Sequence, residues 1–548
     1  MRSIRLGAIT IVAYATIATG AAQERRPVAA AIPVATDGPI APASVRRSVE
    51  TASGKIAYRA TWFETLLLDD KGIAAATISA TSYVREGVGD PARRPVLVLF
   101  NGGPGASSSP LHFGAFGPRR LGERDAAGNR ALLDNRETLL DVADLVFVDP
   151  VGTGFSRPLR EGGGDAYWRV DGDARAVLTL VREWLAAHGR VNSPLFIAGE
   201  SYGGYRLGTM TRELAGLNVA GLILISPALD FGRPADQGAI DMLPTMAVAA
   251  WHHRKPIGDT RGVEAVWEAA RAFAQSDYAV ALQQGSLLGR ADRERIAGEM
   301  SRLIGLPIAD ILAADLRVDS QKFLETLVPG NIVGRLDVRV VQPAPVKSAN
   351  AGRPAAANDP SLGLGRSNVI LSQPIGDYLK RDLGVATKRD YYSLTLDVNF
   401  SWNWDRKGLP PGASWNVVEP IAALMTERPN VRLLAIGGFY DLATPLLAWR
   451  YDLTHGGVPM DRVAIAAFPA GHSPFEGDAN RSSVSDKVRQ FLKSDIAEQP
   501  GSISWRLRGG LFLIGRNFSI TCADERRTFN DRPADHRTGA ARQLAVHR

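Results

Sequence analysis

Apolar residues along the chain gather in short, nearly unbroken runs that are separated by segments with helical or turn character. Strands that are buried on both faces of a parallel sheet have this pattern, so the runs predict such a sheet. The runs are VLVLF (Val96 to Phe100), DLVFVD (Asp144 to Asp149), PLFIAG (Pro194 to Gly199), GLILIS (Gly221 to Ser226), VRLLAIGG (Val431 to Gly438) and VAIAAF (Val463 to Phe468).

Two further patterns fit the same architecture. Polar and apolar residues alternate over 54–62 and 72–84, which predicts two strands joined by a turn at DDKG. In 173–189, apolar residues recur at three- and four-residue steps, with an acidic residue near the start and a glycine at the end, which predicts a helix. Alternating strands and helices predict an α/β sandwich with a mostly parallel central sheet.

The sheet pattern lapses between Ser226 and Val431, where the sequence is irregular and largely helical. We interpret this stretch as a large, mainly helical cap inserted into the α/β core. The predicted organisation in chain order is a signal peptide (1–22), an Ala/Pro-rich linker (23–48), the first part of the core (49–230), the inserted cap (231–424), the second part of the core (425–497) and a basic, disordered tail (498–548).

The first 22 residues carry two arginines, then a mostly apolar run and small residues. This layout is typical of a secretory signal peptide and is too short for a comfortable membrane span; a buried or amphipathic helix is the alternative. The only cysteine is Cys522, so an exported protein would fold without an internal disulfide. We therefore expect a periplasmic or secreted bacterial protein with no stable membrane anchor after removal of the signal.

The net charge of +7 would favour a nucleic-acid partner if the basic residues lay on the main body. They lie at the ends instead: residues 1–22 hold two arginines and no acid, and residues 501–548 hold nine arginines and four acids. No nucleic-acid partner is therefore expected. His252 and His253 have no further metal-ligand pattern around them, so neither a metal nor a cofactor is expected. The oligomeric state is left open.

Ser201 directly follows one of the predicted strands, in the sequence IAGESYGGYR. A strand, a tight turn and a helix around this serine predict a G-x-S-x-G nucleophile elbow. Glycine is needed at 199 and 203 because the backbone passes closely there. The chain contains 55 glycines, so a chance match is the alternative, and residues elsewhere must decide.

A nucleophilic serine needs a histidine base, and the base needs an acid that orients it. Asp441 follows the run VRLLAIGG and His472 follows VAIAAF, in the chain order of an α/β-hydrolase triad. Both lie just past the C-terminal ends of strands, where ligands bind open parallel sheets. Asp441 alone is equally well a helix cap, and His472 alone a loop histidine. Their order and context together favour a triad of Ser201, Asp441 and His472.

The glycine-rich loop FNGGPGASSS follows the first buried strand, so its amides can approach a ligand closely. We assign the stabilisation of the substrate oxyanion to the amides of Gly103 and Tyr202, the latter being the residue after the nucleophile. A plain Gly-Pro turn is the alternative interpretation of this loop.

Six segments resemble the motifs of serine carboxypeptidases, particularly those of bacterial periplasmic relatives: NGGPGASSS, GAFGP, VFVDPVGTGFS, GESYGG, FYDLATP and AGHSPF. The resemblance covers about residues 50–495. It implies an α/β-hydrolase fold, the triad and oxyanion amides named above, and removal of C-terminal residues from a peptide substrate. It also implies that Asn101, Gly102 and Glu200 bind the substrate, with Asn101 and a protonated Glu200 holding its terminal carboxylate.

The chain departs from this family pattern at several positions. Leu99-Phe100 and Ala106 replace the usual tryptophan and cysteine of the first motif, and Phe439 replaces an aspartate before Asp441. Ala115 stands where many members have a second glutamate, which leaves one candidate acid for the terminal carboxylate. An esterase or acyltransferase on the same triad is therefore an alternative, and so is a catalytically inactive binding protein with the same fold.

Overall fold

The computed structural model describes residues 32–125, 130–253, 262–344, 358–364, 367–404 and 416–494. The predicted signal peptide and basic tail lie outside these residues. The strands are β1 (Ala43–Thr51), β2 (Gly54–Leu68), β3 (Ala74–Arg85), β4 (Val96–Phe100), β5 (Arg119–Arg124), β6 (Arg130–Asp134), β7 (Asp144–Asp149), β8 (Leu195–Glu200), β9 (Val219–Ile225), β10 (Asn331–Val333), β11 (Val341–Pro343), β12 (Val369–Leu371), β13 (Tyr392–Thr395), β14 (Arg432–Gly438) and β15 (Val463–Phe468).

Helices cover both faces of the sheet and form most of the segment between β9 and β14. The α-helices are α1 (Val170–Ala187), α2 (Tyr202–Met210), α3 (Ala235–His252), α4 (Val263–Phe273), α5 (Ala279–Gln284), α6 (Arg290–Ile304), α7 (Ile308–Ala313), α8 (Ser320–Thr326), α9 (Gln373–Asp377), α10 (Leu396–Phe400), α11 (Val418–Glu427), α12 (Leu446–His455) and α13 (Asp478–Lys493). Short π-helical segments span Pro110–Phe116, Ala274–Tyr278 and Tyr378–Asp382, and short 3-10 helices span Pro91–Arg93, Leu139–Asp141, Thr211–Glu213, Gly285–Leu287, Pro360–Leu362 and Met460–Arg462.

One nine-stranded sheet runs through the molecule in the order β1-β2-β3-β7-β4-β8-β9-β14-β15. Neighbouring strands from β7 to β15 are parallel, whereas β1, β2 and β3 pair antiparallel with one another and β3 with β7. All six predicted apolar runs lie in the parallel part. The predicted α/β-hydrolase sandwich with a mostly parallel central sheet is therefore confirmed.

The unbroken apolar runs are explained by burial on both faces of the sheet. Along β4, Val96 and Val98 belong to one core cluster, which includes apolar residues of α1 and α2. Leu97 and Leu99 belong to the other, which includes residues of α13 and of the π-helix Pro110–Phe116. Because successive strand residues point to opposite faces, both sets must be apolar.

The sheet resumes after a long intervening segment. Strand β9 ends at Ile225, and β14 pairs with it in parallel, Arg432 lying opposite Gly221. The intervening segment contains α3 to α11 and four short strands. The boundaries of the inserted cap at 231 and 424 stay a prediction.

The predicted linker ends too late in the sequence. Strand β1 begins at Ala43, which pairs with Trp62 of β2 at the edge of the sheet. Before it, Asp37 accepts a hydrogen bond from Arg389 Nε at 2.7 Å. The strand was missed because it forms the sheet edge and alternates only weakly: its sequence ASVRRSVET buries a single side chain, that of Val49.

Candidate active site

Ser201 lies at the sharp turn between β8 and α2. Its backbone has φ 60° and ψ −126°, a strained combination for a residue that is not glycine. The turn has no room for neighbouring side chains: a Cβ on Gly199 would lie 2.2 Å from the carbonyl oxygen of Gly203. A Cβ on Gly203 would lie 2.9 Å from the carbonyl oxygen of Phe100. The surroundings of Ser201 thus have the strand, turn and helix of a nucleophile elbow.

Asp441 and His472 lie on the loops that follow β14 and β15, and they contact each other. His472 Nδ1 is 2.8 Å from Asp441 Oδ2. The Asp441 side chain is fully buried, and its Oδ1 accepts hydrogen bonds from the amides of Ala443 and Thr444 at 2.8 and 3.1 Å. These two amides precede α12, which begins at Leu446 with Pro445 as its N-cap. The carboxylate of Asp441 therefore holds the turn before that helix and does not cap the helix.

Asp441 and His472 each stabilise the charged form of the other. Burial raises the pKa of the Asp441 carboxyl, but the charge of His472 and hydrogen bonds from His472 and Thr444 outweigh burial, so the net pKa is lowered. Burial lowers the pKa of His472, whereas the charges of Asp441 and Glu200 raise it, and the net pKa is raised. An ionised carboxylate beside a basic imidazole is what general-base catalysis requires.

Ser201 and His472 line a single cavity of about 510 Å³. The other residues predicted for the site also line it, apart from the buried Asp441: Asn101, Gly102, Gly103, Glu200 and Tyr202. A second cavity of about 490 Å³ shares four wall residues with the first, namely Ala228, Phe231, Ala443 and Thr444. The structure thus brings together residues from four separate parts of the sequence.

The two residues predicted to supply oxyanion amides come from adjoining elements. Gly103 lies in the loop after β4 with φ +100°, and Tyr202 is the first residue of α2. Gly102 precedes Gly103 in this loop, and a Cβ on Gly102 would lie 2.4 Å from the Tyr202 amide nitrogen. The loop can therefore pack on the start of α2 only because residue 102 is glycine. Amides at the first turn of a helix favour negative charge, as an oxyanion requires.

Asn101 and Glu200 form a hydrogen-bonded pair on the wall of the cavity that Ser201 and His472 line. Asn101 Nδ2 donates to Glu200 Oε2 at 2.6 Å, and Ser473 Oγ donates to Glu200 Oε1 at 2.9 Å. Burial raises the pKa of Glu200 to about 7, against the opposing effects of the His472 charge and of these hydrogen bonds. Below that pH the carboxyl is neutral and can donate a hydrogen bond to a bound carboxylate.

Several cavity residues were not identified from the sequence. Ser473 and Glu476 lie one and four residues after His472 in GHSPFEG, so that motif offered a signal for them, and Thr444 lies in FYDLATP. Arg335 and Asp337 lie in GRLDVR, a stretch without any pattern of its own. Within the described ranges, no group of three or more His, Cys, Asp or Glu side chains could hold a metal ion.

The segment between β9 and β14 contacts the loops of Asp441 and His472 through its backbone. The carbonyl oxygen of Arg335 accepts a hydrogen bond from the amide of Leu442 at 3.0 Å. The next carbonyl, that of Leu336, accepts one from the amide of His472 at 2.7 Å. Two consecutive peptide groups thus hold both loops.

The same segment contacts the glycine loop after β4. Ser393 of β13 accepts a hydrogen bond from the amide of Ser107 at 3.0 Å, and the amide of Thr395 donates to the carbonyl of Gly105 at 2.8 Å. Substitution of Gly105 would be blocked, because a Cβ there would lie 2.2 Å from the Thr395 carbonyl oxygen. The loop that carries Gly103 is therefore fixed between α2 and β13.

Comparison with known proteins supports the family resemblance. Residues 83–221 match the family model for serine carboxypeptidases, a span that includes Ser201 but neither Asp441 nor His472. Serine carboxypeptidase-like 16 of Arabidopsis thaliana is 30% identical over 166 residues, which cover 27% of this chain and 37% of that protein. Pheromone-processing carboxypeptidase kex1 of Talaromyces marneffei is 33% identical over 129 residues, covering 23% and 19%. Each of these matches therefore spans well under half of the curated relative.

Among solved structures, Kex1(delta)p, a prohormone-processing carboxypeptidase from Saccharomyces cerevisiae, aligns with a TM-score of 0.47 and 14% identity, covering 79% of this chain and 90% of that one. The esterase RhEst1 from Rhodococcus aligns with a TM-score of 0.30 and 17% identity, covering 79% and 98%. The family model and the curated relatives together confirm the resemblance to serine carboxypeptidases over the matched part of the chain.

Proposed function

We propose that this chain is a serine-type carboxypeptidase that removes C-terminal residues from peptides through an acyl-enzyme on Ser201. The observation that carries the proposal is the shared cavity, in which Ser201 and His472 lie with the hydrogen-bonded pair of Asn101 and Glu200. The family match over residues 83–221 adds support, because it contains three of these four residues.

In the proposed reaction, His472 takes the proton of the Ser201 hydroxyl as that oxygen attacks the substrate carbonyl. Asp441 orients the imidazole and stabilises its charged form. The amides of Gly103 and Tyr202 donate to the oxygen that becomes negative. His472 then gives the proton to the leaving amine, and a water molecule releases the acyl group by the same route.

Selection of the chain end is proposed for Asn101, Gly102 and Glu200. A neutral Glu200 donates a hydrogen bond to the terminal carboxylate of the substrate, and an ionised Glu200 repels it. Burial raises the pKa of Glu200 to about 7, so carboxylate binding weakens as the pH rises through that value.

An esterase or acyltransferase is the second candidate, and one observation favours it. Ala115 lies fully buried in the π-helix Pro110–Phe116, so that position supplies no second acid to grip a terminal carboxylate. A catalytically inactive binding protein with the same fold is the third candidate. Both alternatives use the same cavity. The first differs from a carboxypeptidase in the bond that is cleaved or the acceptor that is used, and the second carries out no reaction.

The deciding experiment compares a peptide that has a free C-terminus with the same peptide carrying a C-terminal amide. Mass spectrometry of the products should show stepwise trimming of the free peptide, slow or no cleavage of the amide, and no cleavage by Ser201→Ala. Ester turnover with intact peptides would support the second candidate. Failure of Ser201 to react with a fluorophosphonate would support the third.

We also propose that the protein is exported from a bacterial cell to the periplasm or beyond. This proposal rests on the pattern of residues 1–22, which the structure does not describe. In the part of the chain that is described, none of the helices combines the length and apolar content required to cross a bilayer. Cell fractionation with and without residues 1–22 tests the proposal.

A further inference from the structure

Thr444 has no role in the proposed mechanism, although its hydroxyl lies at the contact between Asp441 and His472. Its Oγ1 is 2.6 Å from Asp441 Oδ2 and 3.2 Å from His472 Nδ1. It is also 2.9 Å from the carbonyl oxygen of Ser226. A neutral hydroxyl is thus placed where the acid of the proposed triad meets its base.

The position of the hydroxyl proton follows from these distances. An ionised Asp441 brings no proton, so two oxygens that lie 2.6 Å apart must share the single proton of Thr444. The carbonyl of Ser226 lies farther away and competes for the same proton. The hydroxyl of Thr444 therefore donates to Oδ2, the oxygen that also accepts from His472 Nδ1.

Thr444 supplies two of the four hydrogen bonds to Asp441. Its amide donates to Oδ1 at 3.1 Å, and its hydroxyl donates to Oδ2 at 2.6 Å. The amide of Ala443 and the Nδ1 of His472 donate the other two. The acceptor sites of the carboxylate are then filled, which leaves Asp441 one orientation.

We propose that Thr444 is a positioning residue whose hydroxyl orients Asp441 and limits how strongly this carboxylate attracts the proton of His472. The inference rests on the proposed function, since it requires that Asp441 and His472 serve Ser201. A donor on Oδ2 withdraws negative charge from the oxygen that faces the imidazole. Removal of the hydroxyl should therefore make His472 more basic while it loosens the aspartate.

The charged groups around His472 are all retained when Thr444 is replaced. They are Asp441 and Glu200, which raise the pKa of His472, Arg335, which lowers it, and Glu476, whose own pKa responds to the histidine. Thr444 is neutral, so an uncharged substitute changes none of these charges. A shift in the titration of His472 then reports the lost hydrogen bond.

The test measures the rate at which a fluorophosphonate labels Ser201 as a function of pH. The variants are Thr444→Val, which removes the hydroxyl at equal size, and Thr444→Ser, which keeps it. Thr245→Val is the matched control, because Thr245 is fully buried in α3 and its hydroxyl has no hydrogen-bond partner among the described residues.

Thr444→Val should label about 10-fold more slowly at the pH plateau, the effect of one hydrogen bond to a charged group. The acid limb of its profile of labelling rate against pH should move to higher pH by roughly half a unit, because His472 becomes more basic. Thr444→Ser should retain most of the rate and the original limb. Thr245→Val should match the unsubstituted protein in both.

The inference would be overturned if the acid limb of the labelling profile stayed in place, or moved to lower pH, in a folded Thr444→Val protein. So would equal losses in Thr444→Val and Thr444→Ser, since both would then report packing. Thermal unfolding establishes which variants are folded, and Thr444→Ala replaces Thr444→Val if the latter does not fold. Absence of labelling in the unsubstituted protein would instead refute the proposed function itself.

Discussion

The sheet and the segment between β9 and β14 serve the same cavity in different ways. The sheet supplies side chains: Ser201, Asp441 and His472 follow the C-terminal ends of β8, β14 and β15. The segment supplies mainly backbone, through the carbonyls of Arg335 and Leu336 and through β13. The groups proposed to do chemistry therefore lie on elements that the apolar pattern defines, and the groups that hold their loops do not.

The largest effect is expected on the sheet side, from Asp441→Asn. Because Oδ1 accepts from two backbone amides, the NH2 group of asparagine would take the place of Oδ2. That group cannot accept the hydrogen bond from His472 Nδ1, so the imidazole loses its orientation. We expect kcat to fall by ~10³ to 10⁴-fold with folding intact. Steady-state kinetics on a peptide, with circular dichroism as the check on folding, would measure it, and a loss below tenfold would contradict the proposed triad.

A large loss of stability is expected on the same side from Arg206→Met in α2. The buried Arg206 Nε donates to Asp173 Oδ2 at 2.6 Å, and its guanidinium also donates to the carbonyl of Asn101. The substitution leaves Asp173 buried without its partner, which should cost about 3–5 kcal/mol in the free energy of unfolding. Denaturant titration measures this loss.

A double variant separates the charge effect from packing. Arg206→Met combined with Asp173→Leu should recover most of the lost stability, because no buried charge is left unpaired. Burial raises the pKa of Asp173. A carboxyl whose folded pKa exceeds its unfolded value is favoured when protonated, so the deficit of the single variant should shrink as the pH falls. A deficit independent of pH would point to packing alone.

On the side of the intervening segment, Asp359→Ala should give a smaller effect that couples stability to activity. Asp359 accepts hydrogen bonds from the amides of Arg335 and Leu336 at 3.1 and 3.2 Å. Without them the peptide groups that hold the loops of Asp441 and His472 loosen. We expect kcat to fall about tenfold and unfolding to become easier by about 1–3 kcal/mol.

Asp319→Ala provides the control for that variant. Asp319 caps α8 by accepting from the amide of Lys322 at 2.9 Å. Its loss should cost about 1 kcal/mol of stability and leave kcat unchanged. Equal losses of activity in Asp319→Ala and Asp359→Ala would show that the segment acts only through its general stability.

The smallest effect is expected from Glu200→Gln, and it should depend on pH. Burial raises the pKa of Glu200 to about 7, so below that pH the glutamine resembles the neutral acid, and kcat/KM should change only a few-fold. Above it, the native carboxyl ionises and repels the terminal carboxylate, whereas the glutamine stays neutral. The two profiles of kcat/KM against pH should therefore converge or cross near pH 7, and parallel profiles would exclude this role.

The sheet could be predicted from sequence because a strand that is buried on both faces is apolar at nearly every position. The run PLFIAG predicted a strand at Pro194 to Gly199, and β8 is Leu195–Glu200; the helix expected at 173–189 is α1, Val170–Ala187. The candidate triad could be chosen from the sequence because the fold restricts such residues to the ends of strands. A serine, an acid and a histidine therefore had to follow three predicted strands in that order.

The rest could not be predicted, for physical reasons. The peptide groups of Arg335 and Leu336 act through carbonyl oxygens, which every residue has, so residue type carries no record of them. Thr444 was visible in its motif, but its relation to His472 depends on a distance that only the folded chain defines. The edge strand β1 buries too few side chains to show a period.

Arg335 and Leu336 both line the cavity, and their carbonyl oxygens hold the loops of Asp441 and His472. The atoms that hold the loops are ones that every residue type has, so the side chains at 335 and 336 can be exchanged while the carbonyls remain. Saturation mutagenesis at these two positions should change which substrates are accepted without displacing Ser201 or His472. They are therefore a suitable starting point for redesigning selectivity.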